Sequence, residues 1–132
     1  MGTADNIATV RRFYATGPAD DDAARPPLAA DDIVWHVPGA NRVSADYHGL
    51  DDVFRVMGER MAPLDRWELE PLQVMGNRDL VMAVVRLRAS RYDRHLETTA
   101  GHVFRFDDDG LIVETWGFVD DQAALDELLD PD

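Results

Sequence analysis

The stretch LVMAVVRLRASRYDRHLETTAGHVFRFDDDGLIVETWGFV, Leu80 to Val119, decides the fold. It holds three runs rich in β-branched and aromatic residues, 80–92, 95–106 and 111–119. Short polar turns separate them, Asp93-Arg94 and then Asp107-Asp108-Asp109-Gly110. Long strands joined by tight turns make an antiparallel meander. Gly101, inside the second run, reads as a bulge. Just upstream, WELEPLQVMG (67–76) alternates in the same way and ends in the turn Gly76 to Asp79. Its Pro71 cannot donate to a ladder, so this strand belongs at an edge or carries a bulge.

Working outward, the pattern changes from strand to helix. Ile7, Val10, Phe13 and Tyr14 recur at helical spacing, which predicts a helix over 5–17, ended by Gly17-Pro18. Residues 18–30 are rich in Ala, Asp and Pro, and Pro26-Pro27 makes them a loop. A first strand runs from Ile33 to Val37 and stops at Pro38-Gly39. Residues 38–48 read as irregular. A second helix opens at Gly49-Leu50-Asp51-Asp52, with acids in the first turn where the helix dipole favours them. Val53, Phe54, Met57 and Met61 line one face, and Pro63 stops it. A last helix, 120–129, is capped by Asp120 or Asp121. Helices segregated from a meander make one α+β domain over residues 1–132. The expected architecture is a curved antiparallel sheet forming a cone, with the N-terminal helices packed over it.

Composition narrows the function. The 132 residues are 45% hydrophobic, with five Phe, three Trp and three Tyr, enough for a real core. The net charge of −13 opposes binding to a phosphate backbone, so nucleic acid is not an expected partner. No apolar run reaches the roughly 18 residues that would suggest a membrane span. The start, MGTADNIATVRRFY, lacks the apolar segment of a signal peptide, so a cytoplasmic protein is expected. Without cysteine there is no disulfide, thiolate nucleophile or zinc–thiolate site. The acidic runs Asp20–Asp22 and Asp107–Asp109 lack the spacing of a calcium loop and read as solvated turns. The histidines show neither H-x-H nor H-E-x-x-H spacing, so no metal site is assigned.

Four segments carry a family resemblance: VWHVPG (34–39), YHGLDDVFRVM (47–57), GHVFRFDDDGLIVETWGF (101–118) and DDQAALDELL (120–129). With the element order, the chain resembles the SnoaL-like branch of the nuclear transport factor 2-like superfamily. That branch includes ketosteroid isomerases and polyketide cyclases. The resemblance implies a cone-shaped sheet (the cystatin-like roll), a deep apolar pocket and a homodimer. It implies no cofactor.

Two histidines stand out. His36 sits in the first strand, three residues before Gly39, where the resemblance implies the general base of an isomerase. A neutral imidazole takes up a proton near neutral pH. The other reading is a strand histidine bonded on an outer or dimer face. His102 precedes the run VFRF, where the resemblance implies an oxyanion donor. It shares a strand face with Ala100, Phe104 and Phe106. The other reading is a core histidine bonded to a neighbouring strand. Converging across a pocket, the two would divide the base and acid roles. His48 and His95 read as exposed.

The resemblance also marks departures. The isomerase tyrosine on the first helix corresponds to Phe13 here, and Tyr14 lies a 100° turn away. The acid/base Asp of the cyclase motif corresponds to Gly117. Tyr14, Trp35, Met57, Met82, Phe104 and Trp116 are the candidate substrate-binding residues, although for Trp35, Met57, Met82, Phe104 and Trp116, each taken alone, core or dimer packing is the better reading. Strand alternation puts Trp35 on the face opposite His36. The expected function is proton transfer on an apolar, carbonyl-bearing small molecule. The alternatives are a non-catalytic protein that binds such a ligand, and an epoxide hydrolase of the same fold.

Overall fold

A computed structural model describes residues 2–15 and 28–131. The expected loop around Pro26-Pro27 and the acidic run Asp20–Asp22 lie outside the described residues. Helix α1 (Thr3–Ala15) is followed by β1 (Ala29–Val37) and β2 (Ala45–His48). A π-helical turn (Asp52–Val56) runs directly into α2 (Met57–Met61). The meander is β3 (Arg66–Gly76), β4 (Leu80–Arg91), β5 (Arg94–Phe106) and β6 (Ile112–Val119), and α3 (Gln122–Leu129) follows.

The strands form one unclosed six-stranded sheet in the order β2-β1-β6-β5-β4-β3. Neighbours are antiparallel except β1 and β6, which pair in parallel. The α+β class and the helix-covered curved sheet are as expected. β2 stands where irregular chain was expected, and β1 begins earlier than Ile33. β3 lies at the edge, and its ladder slips between Pro71 and Gln73, as the proline requires. Gly101 is not a bulge, because its registers to Val84 and Phe118 are continuous. The slip in β5 falls between Arg105 and Phe106 instead. Gly101 is needed for close approach: a Cβ there would sit 2.3 Å from the Ala83 carbonyl oxygen and 2.4 Å from the Phe118 ring.

The sheet has two distinct faces. The inner face carries Val81, Ala83, Val85, Leu87 and Ala89 from β4, with Phe104, Thr115 and Trp35 beside them. Helix α1 lies against it, and Asn6 Nδ2 donates to the Arg78 carbonyl at 2.6 Å, tying the helix to the β3–β4 turn. α3 buries Leu125, Leu128 and Leu129. Its cap is Asp121, whose side chain accepts from the Ala124 amide at 3.2 Å.

Candidate active site

The inner-face site is built on one ladder and one helix end. Tyr47, Trp35, Thr115, Phe104 and Val81 lie in register across five strands. One step along β5, His102 lies opposite Gly117 and on the same face as Phe104. Helix α1 brings Phe13 and Tyr14 over them. Phe13 packs 5.5 Å from Trp35 and 5.6 Å from Phe104, centroid to centroid. The His102 ring lies 5.4 Å from Trp35 and 5.6 Å from Phe104. Tyr14 Oη lies 2.6 Å from His102 Nδ1.

These surroundings fix the protonation states. Burial pushes the His102 pKa down to about 4, so the ring is neutral at ordinary pH. Burial raises the Tyr14 pKa well above the usual phenol range, so its hydroxyl keeps its proton. A phenol is a far stronger acid than a neutral imidazole N–H, so Tyr14 donates and Nδ1 accepts. The remaining imidazole proton then sits on Nε2. The site offers a neutral donor next to apolar rings, suited to polarising a carbonyl oxygen. Its basicity at neutral pH is low.

His36 lies on the other face. Its Nδ1 is 2.7 Å from Asp46 Oδ1 and its Nε2 is 2.7 Å from Glu114 Oε2. Its ring stacks on Trp116 at 5.6 Å and 18°. The Glu114 bond and then the Asp46 bond raise its pKa. The expectation that His36 and His102 face one cavity is therefore corrected. Alternation along β1 sends Trp35 inward and His36 outward. The reading of His36 as an outer-face histidine is the one that describes it.

The proposed walls divide in the same way. Tyr14, Trp35 and Phe104 gather around His102. Met57 is half-buried against the core at the start of α2. Met82 and Trp116 are corrected: they lie in one outer-face row, Met75-Met82-Val103-Trp116-His36-Asp46. Met75, Met82 and Trp116 are all well exposed there. His48 and His95 are exposed, as expected. Phe13 was missed as a site residue, although its helical spacing already placed it on the apolar side of α1. Gly117 sets the space beside His102, since a Cβ there would lie 3.6 Å from His102 Cδ2 and 3.2 Å from Pro38 Cδ.

Among the described residues, the buried polar or charged side chains are Asn6, Ser90 and Thr115, none of them a carboxylate. No group of three or more His, Asp or Glu side chains among them is placed to hold a metal. No described helix is long and apolar enough to cross a membrane. Two surface depressions, one around Asp126 and Asp130 and one around Arg66 and Arg88, contain none of the inner-face aromatics.

A helix-covered, unclosed, curved sheet of this order defines a nuclear transport factor 2-like, or cystatin-like, protein. The chain belongs to the SnoaL-like domain family, whose description matches residues 10–115. An uncharacterized protein of Mycobacterium tuberculosis is 34% identical over 94 residues, covering 70% of this chain and 72% of that one. The structure of Bal32a, from a soil-derived mobile gene cassette, superposes with a TM-score of 0.85 at 26% identity, covering 96% of this chain and 98% of that one. TerC, co-crystallized with polyporic acid, superposes with a TM-score of 0.81 at 17% identity, covering 96% and 98%.

Proposed function

We propose that this protein holds a small apolar, carbonyl-bearing molecule against the inner face and polarises its carbonyl through His102 Nε2–H. Isomerisation or aldol-type cyclisation through an enolate is the reaction this donor serves: the α-proton passes to a water molecule, and the enolate oxygen is held by the Nε2–H. The observation that carries the reading is the 2.6 Å Tyr14–His102 bond inside an aromatic setting. The bond fixes the tautomer, and the surrounding rings partly shield the half-buried donor from water, which strengthens it. TerC, of the same fold, was crystallized with a small organic molecule, polyporic acid.

A second reading, binding without turnover, is favoured by the low basicity of His102. Epoxide hydrolysis needs a carboxylate beside a water, and none of the described carboxylates is buried. Exchange of α-protons of hydrophobic cyclic ketones in D2O, followed by NMR, separates the first two. Enolisation predicts exchange that His102→Leu, which carries no donor, abolishes. Binding alone predicts a ligand held by both proteins with no exchange.

The outer face supports a homodimer in the same proposal. Met75, Leu80, Met82, Trp116 and Phe118 are each more than a third exposed on or beside one side of the sheet. Apolar surface gathered on a single face suits a second copy of the chain. Sedimentation velocity at several protein concentrations tests it.

A further inference from the structure

The His36 cluster takes no part in the inner-face chemistry. Both ring nitrogens point at carboxylate oxygens, each at 2.7 Å. An ionised carboxylate only accepts, and a neutral imidazole has one N–H. Satisfying both bonds therefore requires the imidazolium form. The two carboxylates come from different strands, Asp46 from β2 and Glu114 from β6. Glu114 is in turn held by Arg105 of β5, at 3.2 Å.

The strand that this cluster fastens is short and exposed to loss. β2 has four residues, lies at the sheet edge and, among the described residues, pairs only with β1. Its other side leads to α2. The buried Tyr47 hydroxyl donates to the Val43 carbonyl at 2.6 Å and accepts from Arg60 Nη1 of α2 at 3.2 Å. The Arg60 guanidinium also lies 5.4 Å from the Tyr47 ring centroid. Gly49, at φ +90°, then turns the chain into the π-helical turn and α2.

We propose that His36 is a proton-operated latch: as imidazolium it fastens β2 to β6 from outside, and its deprotonation loosens β2 and, through Tyr47 and Arg60, the π-helical turn and α2 that follow it. The charged and titratable groups facing it on neighbouring strands are Asp46 and His48 of β2, Glu114 of β6 and Arg105 of β5. With His36 protonated, Asp46, Glu114, His36 and Arg105 balance in charge. Deprotonation leaves one uncompensated negative charge and brings the chain to the full −13 that it carries with neutral histidines. A proton held more tightly by the folded chain stabilises it fully below the unfolded imidazole value. That contribution fades as pH rises through the higher folded value, so the latch loosens on the alkaline side.

The test pairs two measurements on the full-length chain. NMR of the His36 Cε1–H resonance follows its protonation. Hydrogen exchange over 45–61, corrected for the intrinsic pH dependence of the amides, follows opening. In the wild type, protection over 45–61 should fall about three- to fivefold as His36 titrates, the range of a partly exposed ion pair. His36→Gln should show low protection at all pH values and no inflection. Asp46→Asn alters only an exposed carboxylate and should show a weaker inflection, and it carries the comparison if His36→Gln does not fold. The proposal is overturned if His36 titrates with no change over 45–61. An unchanged inflection in either variant overturns it as well.

Discussion

The Tyr14 hydroxyl on α1 and Nδ1 of His102 on β5 lie 2.6 Å apart, although 88 positions separate them in the chain. This bond ties the first helix to the inner face and decides which imidazole nitrogen carries the proton. Tyr14→Phe leaves a half-buried acceptor unpaired. It should lower folding stability by about 1–3 kcal/mol in urea titrations. It should also raise the His102 pKa, because the lost bond favoured the neutral ring.

The two histidines should shape the pH profile from opposite sides. His102 is held neutral down to about 4, whereas in the unfolded chain it protonates near 6.5. The unfolded state binds more protons in that window, so stability falls as pH drops from about 6.5 to about 4, by at most about 1.4 kcal/mol per pH unit. His36 acts in reverse: its contribution is present below the unfolded value and is lost at higher pH. Denaturation midpoints between pH 4 and pH 9 should show both slopes. His102→Gln should remove the acid one, and His36→Gln the alkaline one.

The two inner-strand glycines should differ in their tolerance of a methyl group. Gly101→Ala places a Cβ against the Ala83 carbonyl, and backbone cannot step aside. A loss of about 1–3 kcal/mol is expected from overpacking. Gly117→Ala meets Pro38, the edge of the His102 ring and the His36 carbonyl oxygen, all at 3.2 Å or more. It should melt within a few degrees of the wild type. Its effect should appear instead in the His102 chemical shifts.

Trp116→Glu and Met82→Glu put charge on the exposed apolar row of the outer face. Both should shift sedimentation towards the monomer while leaving the far-ultraviolet circular dichroism unchanged. Raising the salt should favour association of the wild type, since each copy carries −13.

Much of the fold was legible because its signals are local. The turns at Asp93-Arg94 and Asp107–Gly110 fix the meander, and Pro71 marks its edge strand. β2 was not legible: four residues between Ser44 and Gly49, after Pro38-Gly39, give no periodicity to read. Alternation alone set Trp35 against His36. It could not set Met82 or Trp116 relative to His102, because that needs the register between strands. The flanks of His36 come from pairing, with Asp46 and Glu114 brought from 10 and 78 positions away. No spacing in the chain announces that. Gly101 was misread for a related reason: a strand glycine marks either a bulge or a close approach, and only the neighbouring strands decide which.

The central claim is that His102 donates to a bound carbonyl. Its most direct measurement is the carbonyl resonance of 13C-carbonyl-labelled apolar cyclic ketones titrated with the protein. The account predicts a downfield shift on binding to the wild type, reduced in Tyr14→Phe and absent in His102→Leu, which carries no donor. Identical shifts with the wild type and His102→Leu, across every ketone that binds, would contradict it.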